Sequence, residues 1–344
     1  MKEKKILSSA GRGSACSSLI VFLAGISGVD PIKYDLMLDR FMNNSSSRIP
    51  DLDIDVQSSR RREVLIFLRD YFQDRGFIVP SVLQRIQNLS VISSILEKVF
   101  YDSGKDKELS SRLIGLPFRL QPHNSSLIPI KNKLVAEILS FQKDSSLIFP
   151  TTGFEYYVSS WLSLQKLDIL SAPYLDFVSD VVRDIRSNRG AEIEFSKIDL
   201  MDSSTYRMMH ESYTYYIFHL GSELARKTLG SFSPTSIEDL AKVISIIRPG
   251  MNRQLIKFLG YEESSKRLPS EQIRHILEKT NDIVLYQEQI MEIVSCITAL
   301  TLEDTDKYRL ALQKKDLKKL EILRKEFISL ALEIGNNLPE ILRV

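Results

Sequence analysis

The segment Ile49-Pro50-Asp51-Leu52-Asp53-Ile54-Asp55-Val56 alternates acidic and apolar side chains from Asp51 onward. An extended strand turns successive side chains to opposite faces. Asp51, Asp53 and Asp55 then share one face, and Leu52, Ile54 and Val56 the other. Like charges on one face repel, so folding gains nothing from them. A hard divalent cation such as Mg²⁺ removes that conflict through carboxylate oxygens. A solvent-exposed edge strand with protective charges has the same pattern, but the apolar opposite face suits a strand packed on a core. A second cue lies upstream, where Gly11-Arg12-Gly13-Ser14 leads into the apolar run Leu19–Ala24. Backbone N–H groups of such a loop and the following helix N-terminus can cradle phosphate. The Gly-x-x-x-x-Gly-Lys spacing of a Walker loop is absent, and a plain helix cap fits the same residues.

The elements that must position these residues follow from periodicity. Asp30–Phe41 reads as a short helix before a polar turn at Asn43–Ser47. Ser58-Ser59 reads as the cap of a helix over Arg60–Phe72, with Val64, Leu65, Leu68 and Phe72 on its apolar side. Residues 80–115 read as helical. Leu127–Ile130 and Ser146–Phe149 read as short strands flanking a helix at Asn132–Phe141. Leu164–Leu170 reads as an apolar strand with Lys166 and Asp168 on one face, ended by Ser171-Ala172-Pro173 and followed by a helix over Leu175–Ile185. From Ser203 the pattern is helical, with period 3.6 in Ile237–Ile247, Gln272–Leu277, Ile290–Thr298 and Leu317–Ile334. In the last of these, Leu317, Leu320, Leu323, Phe327, Leu330 and Ile334 form one stripe.

A chain of 344 residues has room for two domains. Its 43% apolar and 26% charged content is that of a folded globular protein, which excludes wholesale disorder. No apolar run approaches the roughly 18–20 residues of a membrane span. The two cysteines, Cys16 and Cys296, exclude a disulfide scaffold and suit a reducing cytoplasm. With 46 basic and 44 acidic residues, the net charge of +2 does not mark a nucleic-acid binder by itself. Lys307–Lys325, however, concentrates Lys307, Arg309, Lys314, Lys315, Lys318, Lys319, Arg324 and Lys325 against Asp316 and Glu321. It is either a solvated helix face or a phosphate-contacting surface. The four histidines lack metal-ligand spacing, and no Gly-x-Ser-x-Gly elbow is present.

Taken in order, Gly11-Arg12-Gly13-Ser14-Ala15, Asp30-Pro31, Asp39-Arg40-Phe41, Pro50-Asp51-Leu52-Asp53-Ile54-Asp55 and Arg60-Arg61-Arg62-Glu63-Val64 resemble the palm of bacterial C-family replicative polymerases, the DNA polymerase III α subunits. Lys166-Leu167-Asp168-Ile169-Leu170 resembles that family's Lys-Phe-Asp-Phe-Leu strand. Ile217–Leu220, Ile247–Gly250, Ile283–Met291 and Lys314-Lys315 resemble successive finger motifs.

The resemblance implies an α+β fold: a partial, mixed-sheet palm of the polymerase-β-like nucleotidyltransferase type, a helical thumb-like insertion and helical fingers. The implied divisions are residues 1–80 and 119–170 for the palm, 81–118 for the insertion and 171–344 for the fingers. Asp51, Asp53 and Asp168 match the metal-binding catalytic carboxylates, which would hold two Mg²⁺ ions. Gly13 and Ser14 match residues that hold the incoming triphosphate. Arg40 and Lys166 match basic residues facing phosphate, and Arg12 belongs to the same loop. Asp55 matches a supporting position.

The implied reaction is DNA-directed nucleotidyl transfer from a dNTP to a primer 3′-hydroxyl in DNA replication. The implied partners are primer-template DNA, dNTPs and other DNA polymerase III subunits or a complementing fragment, without a membrane. The family's long N-terminal domain and the remainder of its fingers have no counterpart here, so the expectation is a truncated α subunit. Several motifs also depart from the family. Asn43–Ser46 replaces Asn-Pro-Glu-Arg, and His123-Asn124-Ser125-Ser126 replaces His-Ala-Gly-Gly. A catalytically inactive truncated paralogue, serving as a DNA-binding or replisome-interaction module or a non-functional remnant, is the alternative expectation.

Overall fold

The computed structural model describes residues 4–43, 50–72, 76–86, 112–130, 141–142, 147–155, 158, 162, 164–260 and 270–336. The chain divides into two compact units, one formed by Met1–Leu36 with Ser46–Asp184, the other by Met37–Ser45 with Ile185–Val344. The fold is mixed α and β, as expected of an α+β protein.

The first unit is built on a seven-stranded mixed sheet. Its strands are β1 (Leu52–Gln57), β2 (Phe77–Arg85), β3 (Pro117–Pro122), β4 (Ser126–Pro129), β5 (Phe141–Gln142), β6 (Thr151–Glu155) and β7 (Leu167–Ala172). The spatial order is β1-β7-β4-β2-β6-β5, with β3 on β2. The two strands that carry the acidic residues lie side by side. β1 and β7 pair in parallel, with Asp53 opposite Asp168. β4 closes on the other side of β7 in antiparallel register, with Ser126 opposite Asp168. The alternation of β1 is realised, since Ile54 and Val56 pack into a core with Val64, Leu65, Phe77, Val79, Leu127 and Ile169.

Helices α1 (Leu19–Leu23), α2 (Arg61–Tyr71) and α3 (Pro173–Arg189) belong to this part of the chain. Ser18 caps α1 by accepting from the Val21 N–H. Arg60, not a serine, stands at the N-cap of α2 and makes no side-chain cap. Ser59 instead donates its hydroxyl to Asp176 of α3 at 2.6 Å, a tertiary use that overrides the local one. The expected helix over Asp30–Phe41 is a turn followed by a 3-10 segment at Leu38–Arg40.

The helix expected from residue 80 begins as strand. β2 runs to Arg85 because Phe77–Val82 is rich in branched and aromatic side chains, and the ladder shifts register between Val79 and Ser81, where Pro80 removes a donor. Residues 87–111 lie outside the described residues. The strand expected at Ser146–Phe149 is displaced to Thr151–Glu155, past Pro150. Most of the expected helix at Asn132–Phe141 lies outside the described residues, and Phe141 is in β5.

The second unit is helical, comprising α4 (Ser203–His210), α5 (Glu223–Phe232), α6 (Ile237–Ile246), α7 (Asn252–Phe258), α8 (Glu271–Leu277), α9 (Gln287–Thr298), α10 (Leu302–Lys314) and α11 (Leu317–Glu333). Asp202, Ser222, Ser236, Ser270, Thr301 and Asp316 cap α4, α5, α6, α8, α10 and α11 through side-chain oxygens. The expected α11 stripe is partly realised. Leu323 is buried and Leu320 and Phe327 pack beside it, but Leu317 and Ile334 at the two ends are exposed. No helix among the described residues is long and apolar enough to cross a membrane.

Candidate active site

Sheet register carries the site. β1 delivers Asp53 and β7 delivers Asp168 to the same level, one strand apart. Asp51 immediately precedes β1 and Lys166 immediately precedes β7. Lys166 Nζ stands 2.9 Å from Asp168 Oδ2 and 3.6 Å from Asp51 Oδ2, so one ammonium answers two carboxylates. Asp168 is buried, whereas the Asp51 side chain is about half open to solvent.

Asp53 feels the crowding most. Burial pushes its carboxyl above the ordinary aspartate range, and the neighbouring charges of Asp168 and Asp51 push the same way against the pull of Lys166. The donor set fits a hard cation, since it consists of carboxylate oxygens under mutual repulsion. As placed, no group of three His, Cys, Asp or Glu side chains among the described residues is arranged to hold a metal ion, and Lys166 is the cation in contact with Asp51 and Asp168.

The glycine loop reaches the same place. Gly13 has φ +61, a left-handed conformation that favours glycine, and a β-carbon built there would lie 3.5 Å from Asp53 Oδ2. The loop continues as a 3-10 turn over Gly13–Ser17, in which Ser17 donates its hydroxyl to the Ser14 carbonyl. Arg12 Nη1 meets Asp55 Oδ2 at 3.4 Å. Asp55 is buried and is thereby matched to the loop rather than to the other carboxylates. Beside it, burial raises the Tyr174 hydroxyl pKa, and the Asp55 charge adds to that.

Of the expected site residues, the first unit brings together Asp51, Asp53, Asp168, Lys166 and Gly13, with Arg12 and Ser14 on the same loop. Arg40 belongs to the second unit, where its Nη1 pairs with Glu288 Oε1 at 2.9 Å. It lies three residues past the start of that segment, on a 3-10 turn that supplies a partner for α9.

Three contributors were missed from the sequence. Ser126 donates to Asp168 Oδ1 at 2.6 Å and contacts His123 Nδ1 at 2.8 Å. Arg61 donates from Nε to the Ile169 carbonyl at 2.6 Å and from Nη2 to the Asn124 carbonyl, tying α2, β7 and the turn before β4 together. Burial lowers the Arg61 pKa. The signal for Arg61 was the arginine run Arg60–Arg62, whereas His123 and Ser126 stood out only as the counterpart of the family's His-Ala-Gly-Gly motif, with no sign of a partner in Asp168.

The family model described as the bacterial DNA polymerase III alpha NTPase domain matches residues 1–102, and that for the bacterial DNA polymerase III alpha subunit finger domain matches residues 174–335. Among similar proteins is the DNA polymerase III subunit alpha of Mycoplasma genitalium, 27% identical over 373 residues that cover 96% of this chain and 42% of that protein. The protein of the same name from Thermotoga maritima is 29% identical over 335 residues, covering 97% of this chain and 37% of its own. That from Ureaplasma parvum is 27% identical over 375 residues, covering 98% and 38%. The chain thus spans about two fifths of the length of these curated relatives. Two models of one family match in order along the sequence, and relatives of one name align over nearly all of it: the chain is a DNA polymerase III alpha subunit-like protein.

Proposed function

We propose that this chain carries the nucleotidyl-transfer centre of a DNA-directed DNA polymerase. The observation that supports it is the placement of Asp53 opposite Asp168 on paired strands, with Asp51, Lys166 and Gly13 around them. On this reading residues 1–80 and 119–170 form a nucleotidyltransferase palm, with residues 81–118 as its thumb-like insertion and residues 171–344 as fingers.

Asp51, Asp53 and Asp168 are the residues that would hold two Mg²⁺ ions. Ions bound there would supply Lewis-acid activation of the primer 3′-hydroxyl and neutralise charge on the pyrophosphate. The chain's own contribution is orientation and charge. The carboxylates on β1 and β7 fix where the metal-binding oxygens stand. The Gly13 backbone, free of a side chain, lets a triphosphate approach the carboxylates closely, and Ser14 and Arg12 serve the same anion. Lys166, exchanging carboxylate for phosphate, places a positive charge where the leaving group develops negative charge. The substrates are a dNTP and primer-template DNA, with other DNA polymerase III subunits or a complementing fragment as partners. The exposed lysines Lys314, Lys315, Lys318 and Lys319 offer phosphate contacts of the salt-dependent kind.

One observation favours a second reading, a DNA-binding or replisome-interaction module without catalysis. Arg40, expected at the phosphates, is engaged with Glu288. Single-nucleotide primer extension separates the two. Incorporation in Mg²⁺ that disappears in an Asp51→Ala/Asp53→Ala double variant supports the polymerase. No incorporation in Mg²⁺ or Mn²⁺ by a folded chain that still binds primer-template supports the module.

A further inference from the structure

Asp168 is held on both oxygens. Oδ2 faces Lys166 at 2.9 Å, and Oδ1 accepts from Ser126 Oγ at 2.6 Å. Ser126 opens β4, directly across the antiparallel ladder from Asp168, and is fully buried. Its neighbours Leu127, Ile128 and Ile169 are apolar and buried. A hydroxyl in such a place is costly unless it is bonded.

The direction of the bonds is determined by chemistry. A carboxylate only accepts, so the serine proton goes to Asp168. Ser126 Oγ is then the acceptor for His123 Nδ1 at 2.8 Å, which places a proton on that nitrogen. The turn that carries both residues is itself fixed. Ser126 N donates to the His123 carbonyl at 2.9 Å, His123 N to the Pro80 carbonyl at 2.8 Å and Ile169 N to the Ser125 carbonyl at 2.8 Å. Arg61 bonds the Asn124 carbonyl from outside. A chain of donors thus runs from a pinned turn through His123 and Ser126 to one oxygen of Asp168.

We propose that Ser126, supported by His123, is the positioning residue of Asp168. It fixes the rotation of the carboxylate, so that Oδ1 is committed to the protein and Oδ2 is presented toward the side where Lys166 and Asp51 stand. This inference rests on the reading of Asp168 as a metal-binding carboxylate. Groups that orient a metal ligand from behind typically govern affinity by about 10–100-fold.

The test is Mn²⁺ binding by the whole 344-residue chain, followed by the electron paramagnetic resonance of the free ion, with melting temperature in EDTA measured alongside. Ser126→Ala is expected to weaken Mn²⁺ binding by about 10–100-fold while remaining folded, with a melting temperature lowered only by the loss of its buried hydrogen bonds. Ser126→Thr, which keeps the hydroxyl, is expected to restore affinity. His123→Phe, at a half-buried position where loss of folding is not expected, should weaken binding in the same direction but less than Ser126→Ala. Unchanged affinity in Ser126→Ala overturns the inference while leaving the polymerase reading intact. Equal weakness in a folded Ser126→Thr also overturns it, because packing and not the hydroxyl would then be the cause. Wild-type affinity in His123→Phe overturns the role of His123. A wild-type chain that takes up no Mn²⁺ overturns both this inference and the metal site of the polymerase reading.

Discussion

At the scale of single residues, Asp53 is placed where it costs stability. Its carboxyl pKa is raised by burial and by Asp168 and Asp51, so its ionised form is less favourable in the folded chain than in the unfolded one. The stability associated with the carboxyl proton is fully present below the ordinary aspartate range and is lost as pH rises through the raised folded value. Asp53→Asn is therefore expected to stabilise the metal-free chain at neutral pH. The gain should be less than about 1 kcal/mol because water reaches the site. Urea denaturation in EDTA measures it. The gap between variant and wild type should close as pH falls below the ordinary carboxylate range, and a gap that widens there would contradict the assignment.

The same residues show how far a site can be read from sequence. Asp51 and Asp53 were legible because strand alternation is a local rule that needs no tertiary knowledge. Ser126 was not, because its partnership with Asp168 is set by the register of β4 on β7, and no local pattern encodes which residue faces which across a ladder. The partner of Arg40 was hidden for a related reason. A motif carries residue types, but its salt bridge to Glu288 is chosen by packing in another part of the chain.

At the scale of elements, the segment Leu285-Tyr286-Gln287-Glu288-Gln289 illustrates a motif with structural work to do. Gln289 is buried in the first turn of α9, where its side-chain oxygen accepts from Leu285 N at 2.9 Å and Tyr286 N at 3.0 Å. Its amide donates to the Ile276 carbonyl at 3.2 Å and to Thr280 Oγ1 at 2.7 Å. One side chain thus joins the start of α9 to the end of α8. Gln289→Ala leaves buried donors and acceptors unmatched and is expected to cost about 2–4 kcal/mol, read as a lower urea midpoint. A cost below about 0.5 kcal/mol would mean that water replaces the amide. The helices of this region were legible from their period of 3.6. The strands at Phe77–Arg85 and Thr151–Glu155 were obscured by Pro80 and Pro150, because proline signals a break locally but is tolerated where a ladder changes register or has just begun.

At the scale of the molecule, the division into two units makes a thermodynamic statement. Each unit closes its own cores. Ile6, Val56, Val64, Phe77 and Ile169 meet in the first, while Tyr206, Met209, Leu229 and Val243 meet in one cluster of the second and Ile273, Leu277, Ile293 and Ala331 in another. Separate cores are the condition under which a chain departs from a single all-or-none transition. Calorimetry is expected to resolve two transitions, and the variants assign them. Asp53→Asn lies in the first unit and should raise one transition without moving the other. Gln289→Ala lies in the second and should lower the other alone. If both substitutions shift one common transition, the two cores unfold as one cooperative body, and an effect on the carboxylate site would then report global stability as much as local chemistry. Two independent shifts would allow loss of Mn²⁺ binding in Ser126→Ala to be assigned to the site itself, because the melting of its own unit can be followed in the same molecule.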